Sequence, residues 1–272
     1  MTAAAHSQAA VAASRPLDLG RQIAVIAATC FMLVAAAVGT GALGGTPVQD
    51  LQGGALDSDG SLLAPARPAF SIWSAIYLLL IAYTVWQALP GQRSDRRQRA
   101  LGWWIAATAV LNGLWLVAAQ YATLPVTVLA IFALLAALAA TFQRTVAVPA
   151  ERAVDAILID GATGLHLGWV SLASVANTAA WLTDAGLDVA APAVWGIGVL
   201  VVVAAIGVAI PVASGGRFAP GLALAWGLVW LAVGRLTGDP ASVPIGVAAL
   251  VVAAIVLVVP VVMMVRRREV RP

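Results

Sequence analysis

The chain has 272 residues, of which 62% are hydrophobic and only 10% are charged, with a formal net charge of +3. Soluble domains carry about 25% charged residues, so this composition excludes one and indicates a polytopic membrane protein. All fifteen basic residues are arginine and flank apolar segments, where anionic lipid accounts for them, so we expect no nucleic-acid partner.

Eight apolar segments are long enough to cross a hydrocarbon core of about 30 Å. In chain order they lie near 22–43, 69–89, 101–120, 123–142, 156–182, 192–213, 219–237 and 243–265. Thirteen of the fifteen arginines fall on the side shared by the two termini and the segments 90–100, 143–155 and 217. Arginine gathers on the cytoplasmic side, so both termini are predicted to be cytoplasmic. The arginine-only, alanine-rich composition is typical of a GC-rich bacterial genome, which predicts the inner membrane.

The chain is predicted to divide near residue 185. Residues 1–20 form a cytoplasmic tail, 21–185 a five-helix core, 186–265 three further helices, and 266–272 a basic cytoplasmic tail. The last three helices are dominated by Val, Ala, Leu and Gly, which is typical of scaffold or oligomer surface. The single Cys30 excludes a disulfide framework, and we expect it to be a small buried side chain.

The segment from Gly44 to Arg67 is rich in glycine and proline and is too long for a mere connection. It leads directly into the second apolar segment. It either folds over the outer end of the helices as a lid or is a disordered loop.

Three apolar segments carry tryptophan together with uncharged polar residues. They contain Phe70, Trp73 and Tyr77; then Trp104, Asn112 and Trp115; then Trp169, Asn177 and Trp181. An amide in hydrocarbon needs a partner or a cavity. The pattern indicates a shared pocket for a flat, mostly apolar ligand. The alternative is that the asparagines only form hydrogen bonds between helices.

Two ionisable residues lie within the fifth segment. His166 could ligate haem iron, bond a porphyrin propionate or be a structural residue. Asp160 either pairs with an arginine such as Arg152 or serves as a coupling site in a transporter. Gly164 and Gly168 have the spacing that lets two helices approach closely. Arg235, at the outer end of the seventh segment, is expected to pair with Asp239 or with lipid.

The segments 70–77, 111–115 and 167–181 resemble the tryptophan-rich sensory protein family, TspO and the mitochondrial translocator protein, in the order of that family. The resemblance covers about 20–185, and His166 stands where the family has tyrosine. It implies a five-helix bundle whose pocket, closed by the first loop, binds porphyrins, haem and other hydrophobic ligands, often as a homodimer. The residue patterns and the resemblance together predict the ligand-binding residues Phe70, Trp73, Tyr77, Asn112, Trp115, His166, Trp169, Asn177 and Trp181.

We therefore expect an all-α protein of about eight transmembrane helices, a five-helix core of this kind plus three extra helices. The predicted function is a membrane sensor or carrier of a hydrophobic planar ligand, with haem or porphyrin as the candidates and the lipid bilayer as partner. The alternative is a secondary transporter of a small solute, coupled through Asp160 and His166. No metal cluster, phosphate loop or nucleophile elbow is present in the sequence. Redox or light-driven porphyrin chemistry on the tryptophans stays open by analogy with the family, so whether the protein is an enzyme is left undecided.

Overall fold

The computed structural model describes residues 15–269, so most of the predicted N-terminal tail and the end of the basic tail lie outside the described residues. Within this range the chain is α-helical with short 3-10 segments and has no strand. Eight of its helices are long and apolar enough to cross a membrane. The prediction of an all-α, multi-pass membrane protein is confirmed.

The eight long helices are numbered in chain order. They are α1 Pro16–Gly39, α2 Ile72–Ala88, α3 Arg96–Tyr121, α4 Leu124–Ala147, α5 Ala153–Asp184, α6 Pro192–Ser214, α7 Ala219–Thr237 and α8 Val243–Glu269. Helices α1 and α3 begin about five residues before the apolar segments predicted from the sequence, because polar residues cap their first turns. In α1 the Asp18 carboxylate accepts from the Arg15 amide, and before α3 the Asp95 carboxylate accepts from the amides of Arg97 and Gln98.

Successive spans place their connections alternately at the two ends of the bundle. The connections 89–95, 148–152 and 215–218 lie with the start of α1 and the end of α8. We call this end the arginine face. The opposite end, which we call the loop face, holds residues 40–71, 122–123, 185–191 and 238–242. Residues 40–66 form the first loop, followed by a 3-10 helix, Arg67–Ser71, that leads into α2.

Helix α7 joins the last three helices to the first five. One buried hydrophobic cluster is built mainly from α1 to α5, and a second from α5 to α8. A Cβ on Gly168 of α5 would overlap the Pro220 carbonyl oxygen of α7, and one on Gly164 would lie 2.7 Å from the Ala219 Cβ. The close helix contact predicted from these two glycines is confirmed, and it is the contact between α5 and α7.

The first turns of α5 contain a π-helical segment, Ala156–Gly161. Asp160 lies in this segment and pairs with two arginines, Arg97 of α3 and Arg217, whose Nη1 is 2.9 Å from the carboxylate. The predicted pairing of Asp160 with an arginine is confirmed, but Arg152 is the wrong partner, because it lies at the surface and binds Asp155 and Asp95 instead.

The expectation for Cys30 is also wrong. Its side chain is exposed on α1, so it faces the surroundings of the bundle and not the core.

Candidate functional site: an aromatic cluster beneath the first loop

Trp73 of α2 lies at the centre of a group of aromatic rings from three helices. Its ring stacks on Tyr77 with a centroid distance of 5.1 Å and on Trp115 of α3 at 6.5 Å. Its two remaining neighbours are His166 and Trp169 of α5. They meet the Trp73 ring edge to face, with centroid distances of 5.6 Å and 6.1 Å. These are the offset and T-shaped geometries that aromatic pairs prefer.

Phe70 completes this group through an edge contact of 5.7 Å with Trp169. The aromatic cluster therefore consists of Phe70, Trp73, Tyr77, Trp115, His166 and Trp169. The 3-10 segment before α2 places Phe70 next to the first loop, so the cluster lies towards the loop face of the bundle.

Two asparagines link the helices around the cluster. The Tyr77 hydroxyl donates to Asn112 Oδ1 at 3.3 Å, and Asn112 Nδ2 lies 3.4 Å from His166 Nε2. With the amide as donor, this ring nitrogen must accept, so the histidine is neutral in this arrangement. The Trp115 indole donates to Asn177 Oδ1 at 3.2 Å. Hydrogen bonding between helices is thus one role of both amides.

A small cavity separates the cluster from the first loop. Its volume is about 30 Å³, enough for about two water molecules. The walls come from the cluster, Asn177 and the loop: Phe70, Trp73, Trp115, Trp169, Asn177, Val48, Leu56, Asp57 and Pro65. The indole nitrogen of Trp169 is buried and has no hydrogen-bond partner among the described residues. Pockets for drug-sized ligands measure about 300–1,000 Å³, so a large ligand requires the loop to move.

The first loop is closed on itself by an ion pair. Arg67 Nε donates to Asp57 Oδ1 at 2.9 Å, and the same guanidinium reaches Asp50 at 3.0 Å. Partial burial disfavours the ionised form of Asp57, but the hydrogen bonds from Arg67 and from the Ser58 amide outweigh it and lower the pKa of Asp57. The sequence left open whether this segment is a lid over the helices or a disordered loop. Its position is that of a lid, since the loop lines the cavity.

Helix α7 holds the second half of the loop, which the sequence did not indicate. Arg235 is fully buried, and its guanidinium donates to the backbone carbonyls of Ser58, Ser61 and Asp239. The expected pairing with Asp239 is therefore made to its carbonyl and not to its carboxylate.

Two tryptophans of α7 add backbone contacts. The Ala66 amide donates to the Trp230 carbonyl at 3.1 Å, and the Trp226 indole donates to the Ala69 carbonyl at 2.9 Å. Helix α7 is therefore part of the support of the site, beyond the scaffold role expected of it.

Some predicted residues lie elsewhere. Trp181 is half-buried near the end of α5 and makes no ring contact with the cluster among the described residues. Trp104 lies towards the arginine face, under the Arg144 guanidinium at 3.7 Å. Trp104 and Trp169, each eight residues before an asparagine, thus have unrelated surroundings.

Asp160 and His166 of α5 are separate sites. His166 touches Trp73 but does not line the cavity, and its Nε2 faces Asn112. This geometry gives haem-iron ligation no support. Asp160 is six residues away, about 9 Å along a helix axis. Within the described residues, no three His, Cys, Asp or Glu side chains gather as a metal site.

Comparison with known proteins agrees with this arrangement. The family model described as TSPO-like protein matches residues 22–263. The match continues through α6 and α7 and into α8, beyond the range 20–185 of the resemblance seen in the sequence. No curated protein and no solved structure matches the chain. Since the match covers most of the chain and includes every residue of the aromatic cluster, this multi-pass membrane protein belongs to the TSPO-like protein family.

Proposed function

We propose that the protein reversibly binds a planar, mostly apolar ligand of the tetrapyrrole class among α2, α3 and α5. The observation that carries the proposal is the cluster of rings around Trp73, next to an apolar cavity under a loop. Each ring pair contributes about 0.5–1.5 kcal/mol beyond burial of area. A flat ligand can replace Trp73 as the stacking partner of the other rings, so part of this energy is retained on binding.

The polar groups at the cavity supply orientation. The free indole N–H of Trp169 can donate to a carboxylate or carbonyl of the ligand, and such an unpaired buried donor is costly when it is left alone. Asn177 lines the same cavity. We therefore place the polar edge of the ligand between these two side chains.

Binding requires the first half of the loop to open. The second half is held by Arg235 and by backbone bonds to α7. The first half contains four glycines with positive φ, Gly41, Gly44, Gly53 and Gly54, and its ion pair with Arg67 is partly exposed. Partly exposed ion pairs are weak, so we assign the movement to residues 41–57.

The test is a fluorescence titration of the purified protein in detergent with protoporphyrin IX. Saturable quenching is expected, with affinity at least tenfold lower in Trp169→Phe and in Asn177→Ala. Trp104→Phe is the matched control, because it removes a tryptophan outside the cluster. Equal affinity in all four proteins, or quenching that never saturates, would contradict the proposal.

No observation favours the alternative of a coupled transporter. Asp160 is held by two arginines and His166 by Asn112, which is the arrangement of structural side chains. The placement in a bacterial inner membrane with both termini in the cytoplasm remains part of the proposal. It is supported by the concentration of arginine on one face.

A further inference from the structure

A second, much larger cavity lies away from the aromatic cluster, on the side of α6. It is a groove of about 1330 Å³ between α6 on one wall and α4 and α5 on the other. Along α6 it follows the whole helix, from Pro192 to Ser214. Helix α6 packs against α8, where Gly196 and Gly207 meet Ile245 and Val256, and this leaves its opposite side open to the groove.

The groove has the length of a membrane span. The 23 residues of α6 extend over about 33 Å, close to the hydrocarbon core of about 30 Å. Extended acyl chains that lie parallel to α6 match this length. A helix of a second copy matches it as well, so the lining of the groove and the charge at its two ends decide between the two occupants.

The middle of the groove is chemically suited to hydrocarbon. Most of its lining residues are apolar. The hydroxyls that face it from α5 are already satisfied within their own helix, since Ser171 donates to the Leu167 carbonyl and Thr178 to the Ser174 carbonyl, each at 2.8 Å. These walls therefore require no polar partner from an occupant.

The two ends of the groove differ in charge. Asp59 and Asp188 line the end at the loop face. At the arginine face, Arg97 and Arg217 share the single carboxylate of Asp160, which leaves this group with a net positive charge. The Arg217 guanidinium lies 5.9 Å from the ring of Phe142, which lines the groove. The Ser214 hydroxyl also lines this end, is 9% exposed and has no hydrogen-bond partner among the described residues. An anionic group that accepts a hydrogen bond fits the arginine face and is repelled at the loop face.

We propose that the half of the groove next to the arginine face binds one anionic diacyl glycerophospholipid. Its phosphate accepts from the Ser214 hydroxyl beside Arg217, and its acyl chains lie along α6. The chains of one leaflet reach about 15 Å, half of the hydrocarbon core. They therefore extend past Ala209 and Ile206, opposite Ala139 of α4.

Native mass spectrometry of the delipidated full-length protein tests the proposal. Dioleoylphosphatidylglycerol or dioleoylphosphatidylcholine is added back at equal concentration. One phosphatidylglycerol is expected to bind about tenfold more tightly than phosphatidylcholine, and Ser214→Ala is expected to reduce this preference. Ala139→Phe, which fills the groove, is expected to weaken binding at least tenfold. Ala133→Phe is the matched control, because Ala133 is exposed on the same helix and does not line the groove.

A second wall and a direct label complete the design. Ala209→Phe fills the groove from α6 and replaces Ala139→Phe if that variant does not fold. A photoactivatable phosphatidylglycerol is expected to label peptides from 192–214 in the wild-type protein. Labelling outside the walls of the groove overturns the proposal, as does wild-type lipid affinity in Ala139→Phe. Loss of a dimer in that variant without loss of lipid would instead make the groove an interface between copies.

Discussion

Replacement of Gly168 by alanine tests the contact between α5 and α7. The added Cβ would overlap the Pro220 carbonyl oxygen, which belongs to backbone and cannot swing aside. The helices must then separate, and overpacking of this kind costs about 1–3 kcal/mol. Alanine is also the better helix former, by about 1 kcal/mol. The net effect expected for Gly168→Ala is therefore about 0–2 kcal/mol of destabilisation.

Gly198→Ala is the matched control. Gly198 lies in α6, and a Cβ added there would have nothing within 4 Å, so this variant gains the helix propensity without the overlap. The two variants should differ in free energy of unfolding by about 1–3 kcal/mol. The assay is reversible denaturation in mixed micelles, followed by circular dichroism. Equal stability of the two variants would show that α5 and α7 do not approach within contact of the Gly168 Cα, and the reasoning would fail.

Three further predictions concern the loop and the amides. Because the pKa of Asp57 is lowered, its ion pair with Arg67 is complete at neutral pH and is lost as the pH falls through that lowered pKa. The hydrogen-exchange rate of residues 48–64, corrected for the intrinsic rate, should be constant from about pH 8 to 5 and rise below about pH 4. A rise near pH 6 would contradict this prediction. Arg235→Met should increase proteolysis within residues 55–64, because three carbonyls lose their donor; unchanged cleavage would rule out the anchoring role. In a double-mutant cycle of Trp115→Phe and Asn177→Ala, the coupling energy should be about 0.6 kcal/mol, the typical value of a hydrogen bond between membrane helices; strictly additive losses of stability would show that the two side chains are not coupled.

The helices and the composition of the aromatic cluster could be predicted because both depend on local patterns. Apolar length determines a span, and an amide within a span must find a partner nearby. Periodicity gives the direction of a side chain on its own helix but not the neighbour that it meets. For this reason Trp104, with the same spacing to an asparagine as Trp169, lies against Arg144 instead of the cluster.

The partners of buried charges could not be predicted from sequence distance. Arg152 is close to Asp160 along the chain, but the carboxylate pairs with Arg97 and Arg217, about 60 residues away on either side. Arg235 likewise binds carbonyls of a loop that precedes it by more than 170 residues. Such contacts depend on how the helices pack. The volume of the cavity depends on packing too, because the side chains determine the remaining space only after the helices are in place.

The π-helical segment of α5 has a consequence for how the chain can change over evolution. A π turn holds one residue more than an α-helical turn, so loss of one residue within 156–161 could restore a regular helix without moving the rest of α5. If the lost residue is Gly161, Asp160 moves one position along the helix and rotates by about 100° away from its arginines, whereas Trp169 and Asn177 keep their places. In an alignment of relatives, a single-residue gap at Gly161 would accordingly mark the members that lack the buried charge network and keep the aromatic cluster.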